Sequence, residues 1–124
     1  SKLKTTIMRH AKKGKKFHRT SGRRKSFLQN LANDLVRAGR IETTETRAKA
    51  VRPIVEHWIT MGKSRTLAAR RMLLSRMGNK RVAMKLYEEI APKYASRAGG
   101  YLRITKLATS RKRDGSRLAV VEFV

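Results

Sequence analysis

Apolar residues follow no regular period through the first 22 positions, and beyond them they fall into repeating patterns. Phe27, Leu28, Leu31, Leu35 and Val36 recur at spacings of three and four, which predicts one buried face of a helix. Ser21 suits the cap at its start and Gly39 the stop at its end. Residues 40–44, "RIETT", alternate: Ile41 points one way, Arg40 and Glu42 the other, and a short strand is expected. Thr44 can cap a second helix, with Glu45 in its first turn near the positive end of the helix dipole. Ala48, Val51, Val55, Trp58 and Ile59 line one side of that helix, and Gly62 marks its end. Pro53 inside it predicts a kink or a new start with Arg52 extended, because proline removes a hydrogen bond and clashes with the preceding turn.

Ser64 opens a third helix, with Leu67, Ala68, Met72, Leu73 and Met77 available for burial before Gly78. Asn79 caps a fourth, which turns Val82, Ala83, Leu86, Tyr87 and Ile90 inward and stops at Pro92. These Met and aromatic positions have core spacing and read as core. "YLRITKL" (101–107) then alternates. "RLAVVEFV" (117–124) is β-branched and apolar on both faces, as expected of a strand inside a sheet. Asp114-Gly115 signals a turn between them, so the two strands should form an antiparallel hairpin. The order is helix, strand, three helices, two strands. It predicts an α+β fold in two layers, with a small three-stranded mixed sheet covered by helices on one side. Residues 1–22 are expected as a basic N-terminal arm and 23–124 as a globular α/β domain.

The 124 residues are the size of one domain, and 32 Lys+Arg against 8 Asp+Glu give a formal net charge of +24. Self-repulsion of that size opposes compaction unless a polyanion neutralises it. Nucleic acid, whose phosphates release counterions on binding, is the first candidate; an anionic membrane is the second. The absence of cysteine excludes disulfides, thiolate metal sites and a cysteine nucleophile. No apolar run reaches the roughly 20 residues that span a bilayer, and the N-terminal residues hold no apolar signal core. A soluble intracellular protein is expected.

Enzyme chemistry lacks a site. Gly62, Lys63 and Ser64 mimic the end of a phosphate-binding loop, but the glycine that loop requires five residues earlier is His57. His10 and His18 stand in a basic tail with no carboxylate near, which suits stacking or hydrogen bonding to RNA better than a metal. Glu88 and Glu89 are neighbours on a helix and point apart, so each is expected to pair with Lys85 or Lys93. No cofactor, metal or small-molecule substrate is implied.

What remains is basic surface in four patches. The tail comes first: the first 25 residues carry eleven Lys or Arg and no acid. Its glycines let backbone amides approach phosphates closely, and such an arm can order along grooves between RNA helices. Arg23, Arg24 and Lys25 head the first helix. Arg65, Arg70, Arg71, Arg76, Lys80 and Arg81 belong to the short helices, and Arg111, Lys112 and Arg113 with Arg117 to the hairpin loop. Arginine suits bidentate phosphate contact and stacking. Charge alone does not separate RNA from DNA, and a DNA-binding architectural protein is the alternative; intercalating wedges or a dimer face would mark it, and neither is visible.

The segments "MRH-x-KKGKKF-x-RTSG-x-RKSFLQNLANDL", "RIETTETRAKAVRPIVEHWIT", "LYEEIAPKYASRAGGYLRITKL" and the ending "AVVEFV" resemble the bacterial-type large-subunit ribosomal protein seventeen family. The resemblance runs from Met8 to Val124, in the family's order and spacing. It implies a structural ribosomal protein without catalytic activity, seated on large-subunit ribosomal RNA near the peptide exit tunnel beside other ribosomal proteins. The expected location is the bacterial ribosome in the cytoplasm, or an organellar ribosome. By the same resemblance the RNA-contacting positions are Arg9, His10, Lys12, Lys13, Gly14, Lys15, Lys16, Arg19, Arg23, Arg24 and Lys25. Arg47, Lys49 and Arg52 at the start of the long helix join them, as do Arg97, Gly99, Gly100 and Tyr101. Arg23 stands where the family commonly has His, and Leu102 where it has Thr.

Overall fold

The structure is a computed structural model that describes residues 21–112 and 114–124. Helix α1 (Ser21–Ala38) leads to strand β1 (Arg40–Thr44), then to α2 (Glu45–Lys63), α3 (Leu67–Met77) and α4 (Lys80–Lys85). A π-helical turn (Leu86–Ile90) and a 3-10 turn (Ala91–Tyr94) extend α4, and strands β2 (Leu102–Ser110) and β3 (Arg117–Phe123) close the chain. The local signals account for most of these boundaries. Gly39 takes φ 90° and its N–H returns to the Leu35 carbonyl at 2.8 Å, which ends α1. Thr44 caps α2 by accepting from the Arg47 N–H, and Asn79 caps α4 by accepting from Val82.

The sheet order is β1-β3-β2, and both pairings are antiparallel. The expected mixed sheet is therefore corrected. β1 and β2 do run parallel, but β3 lies between them and bonds to each. Its apolar residues on both faces suit the centre, and the helical crossover from β1 skips that place. Side chains alternate along β3. Ala119 and Val121 are fully buried in the helix-packed core; Val120 is also buried, at 5% exposure, but outside that cluster. On Val120's face Glu122 stands between Arg40 and Arg103, at 3.4 and 3.1 Å.

Several expectations on the helices are corrected. α2 makes no new start at Pro53: it runs through the proline and Arg52 stays helical, with fully buried Val51 and Val55 on either side. Gly62 does not end α2 but sits buried within it, where a Cβ would lie 3.0 Å from both Ala91 Cβ and Leu86 Cδ2. Thr66, not Ser64, caps α3. On that helix Leu73 and Met77 are buried, whereas Leu67 and Met72 face outward at 57% and 46% exposure. Pro92 does not stop α4. The Ala91 N–H reaches back five residues to Leu86, so Pro92 falls at the start of the 3-10 turn, a position where a missing N–H is tolerated. Lys85 donates to the Arg37 carbonyl at 2.7 Å, and Glu88 and Glu89 make no ion pair among the described residues.

Candidate nucleic-acid interface

The head of α1 carries the first described cations. Arg23 and Lys25 are exposed there, and the same turns include Arg24. Arg9, His10, Lys12, Lys13, Gly14, Lys15, Lys16, His18 and Arg19 lie outside the described residues, as does Arg113.

A second group gathers around the start of α2. The Arg47 guanidinium lies 4.8 Å from the centre of the Phe27 ring, a cation–π contact tying α2 to α1. Lys49 and Lys106 both reach Glu45 Oε2 at 3.2 Å, one from the next turn of α2 and one from β2. Their hydrogen bonds and charge hold the Glu45 carboxyl below its ordinary value. Arg52 is exposed and makes no ion pair among the described residues. Between α2 and β2 lies a groove of about 510 Å³ lined by Lys49, Arg52, Pro53, Glu56, Ile104 and Lys106.

On the short helices Arg71, Arg76, Lys80 and Arg81 are exposed and free of ion pairs among the described residues. Two of their neighbours are used internally. Arg65 stacks 3.9 Å above the Tyr87 ring and donates to the Tyr87 and Gly62 carbonyls at 2.7 and 3.1 Å. Arg70 is half-buried with its guanidinium 3.3 Å from Met84 Sδ. The "GKS" segment is no phosphate loop either: Gly62 and Lys63 are helical, Ser64 follows the helix end, and Lys63 turns to the chain before β2. Its ammonium donates to the Tyr101 hydroxyl at 2.8 Å and to the Arg97 carbonyl.

That ammonium fixes the loop carrying Arg97, Gly99 and Gly100. Arg97 Nε donates to the Gly99 carbonyl at 3.3 Å, and Gly100 takes φ +68°, which only glycine adopts without strain. Tyr101 is 1% exposed. Its hydroxyl donates to the Arg97 carbonyl at 3.2 Å, and the Lys63 hydrogen bond pulls its pKa down. Tyr101 thus anchors the loop from inside, and Arg97 and the glycines form its exposed rim. No local sequence signal marks Lys63 for this task, because its partners lie 34 and 38 residues away.

In the hairpin loop Arg111 grips Asp114 with two hydrogen bonds, of 3.2 and 2.7 Å. Asp114 also accepts from the Ser116 N–H at 3.1 Å. Both contacts hold its carboxyl well below the usual carboxylate range, and the carboxylate in turn raises Arg111. Lys112 and Arg117 remain exposed. Described acids thus engage Arg37, Arg40, Lys49, Arg103, Lys106 and Arg111; Lys25, Arg71, Arg76, Lys80 and Arg81 are exposed and make no ion pair among the described residues. No group of three possible metal ligands occurs among the described residues, and none of their helices is long and apolar enough to cross a membrane.

The family model for ribosomal protein L17 matches residues 27–124. The chain is 48% identical over 118 residues to the large ribosomal subunit protein bL17 of Persephonella marina, covering 94% of this chain and 95% of that protein. It is 48% identical to the protein of that name from Mesorhizobium japonicum, covering 94% of this chain and 81% of the relative. With the one from Sulfurihydrogenibium sp. the identity is 44%, covering 94% and 97%.

Proposed function

The chain belongs to the ribosomal protein L17 family, and from that premise we propose that it is held on large-subunit ribosomal RNA by a basic arm and by separate cationic patches on a helix-and-sheet body. Membership makes it a non-enzymatic, structural constituent of the large ribosomal subunit, with ribosomal RNA and neighbouring ribosomal proteins as its partners. Residues 1–22 are the arm and 23–124 the body. The seat near the peptide exit tunnel, on a bacterial cytoplasmic or an organellar ribosome, rests on the family resemblance.

The observation that carries the RNA reading is the asymmetry of charge. All eight acids stand after residue 33, while eleven Lys or Arg precede residue 26. Within the body, Glu45, Asp114 and Glu122 pair with cations near the sheet and the α2 start, whereas Lys25, Arg71, Arg76, Lys80 and Arg81 are left without ion pairs among the described residues. A surface of that kind is stabilised by contact with closely spaced phosphates. Co-sedimentation with isolated large subunits through a high-salt wash tests the assignment. Retention with the large subunit is expected; release into the supernatant together with loosely bound proteins would refute it.

A further inference from the structure

The groove between α2 and β2 differs from the rest of the cationic surface. Its volume, about 510 Å³, falls in the range of clefts that take up small organic groups. Pro53 and Ile104 provide apolar lining; Lys49, Arg52, Lys106 and Glu56 provide the polar part. A paired RNA strand offers phosphate and sugar to a protein surface and makes no use of apolar lining. An unpaired nucleotide offers a flat base face, a base edge with donors, and a phosphate. The three kinds of lining correspond to those three parts.

Four of the lining groups are available for that use. Pro53 is exposed and Ile104 half-buried, so both have surface to give to a base. Glu56 Oε2 accepts from the Leu102 N–H at 3.2 Å, while Oε1 has no hydrogen-bond partner among the described residues. A carboxylate repels phosphate but accepts the N–H groups of a base edge, so it turns the base inward and the phosphate outward. Arg52, exposed and without an ion pair among the described residues, is the cation free to take that phosphate. Glu45 holds Lys49 and Lys106 against each other at 3.2 Å each, which fixes the opposite wall.

We propose that this groove is a binding site for one unpaired RNA nucleotide, its base laid on Pro53 and Ile104 with its edge toward Glu56 and its phosphate on Arg52. The site rests on the RNA-binding reading above and deepens it by naming the structural class of RNA that is recognised: a bulged or looped-out residue, not a continuous stem.

The test uses the full chain and two hairpin RNAs with the same stem, one fully paired and one carrying a single-nucleotide bulge. At raised salt, where plain phosphate contacts weaken, the bulged hairpin is expected to bind at least about fivefold tighter, the low end for stacking one base. Ile104→Thr, which removes apolar lining but suits a strand, is expected to abolish that preference and leave the fully paired hairpin unaffected. Arg52→Gln is expected to weaken the bulged hairpin more than the paired one. A 4-thiouridine in the bulge, irradiated with the unaltered protein, is expected to crosslink within residues 49–56 or 103–106, and this arm needs no variant to fold. Equal affinity for the two hairpins, or a crosslink elsewhere in the chain, overturns the site while leaving RNA binding in place. Failure of both hairpins to bind would instead sink the reading on which the site rests, and the site with it.

Discussion

At the scale of single residues, the two sides of β3 make different demands. Val121 is fully buried against the helices, whereas Val120 is buried on the sheet's other face, outside the helix-packed cluster. Val121→Asp is expected to abolish cooperative thermal unfolding, because the carboxylate is forced into an apolar core with no partner. Val120→Asp, beside Glu42 and Thr105 across the strands, is expected to cost about 1–3 kcal/mol and keep a cooperative transition. Circular dichroism melts of both variants check the ranking; the reverse order would place the sheet the wrong way round. Glu45 gives a pH signature. Its folded carboxyl sits below the ordinary value, so its contribution to stability is complete at neutral pH and is lost as pH falls through the carboxylate range. Glu45→Gln should therefore flatten part of the fall in melting temperature between neutral pH and about pH 3. A fall as steep as that of the unaltered protein would contradict the paired geometry.

At the scale of elements, the sequence made most of the caps and the hairpin legible, because those signals are local, though it put the α3 cap at Ser64 in place of Thr66. Thr44, Asn79, Gly39 and Asp114-Gly115 each act within a few residues. It misjudged places where a distant partner decides. Gly62 reads as a helix stop but is the point where α2 approaches Leu86 and Ala91. Pro92 reads as a stop but is absorbed by a π turn whose bond shift no periodicity reveals. Leu67 and Met72 have core spacing, yet α3 turns them to solvent. The cationic surface was legible as charge, since charge is a matter of composition; that Arg65 and Lys63 are used to build the frame was not, since Tyr87, Arg97 and Tyr101 are brought to them only by folding. Gly62→Ala tests the close approach. In a free helix this change stabilises by up to about 1 kcal/mol. Here the added methyl meets Ala91 Cβ, which cannot swing aside, so overpacking of about 1–3 kcal/mol should win and the melting temperature should fall. A rise would show that the helices separate at no cost.

At the scale of the whole molecule, the body carries the hydrophobic core, and the densest run of cations, residues 1–25, stands first in the sequence. The core begins at Ala32, with Leu31 packed against it, so loss of the first 22 residues is expected to leave the body folded while removing its strongest hold on RNA. The account is tested most directly by the salt dependence of binding to a large-subunit ribosomal RNA fragment, for the full chain and for the chain lacking residues 1–22. If about six of the arm's charges meet phosphates, the log–log slope should flatten by about 4 to 5 on removal, at about 0.7 to 0.9 per contact. Affinity at low salt should fall by orders of magnitude, whereas His10→Ala or His18→Ala in the full chain should change it little. A truncated chain that melts cooperatively yet binds with an unchanged slope would contradict the account, because the arm would then touch no phosphate.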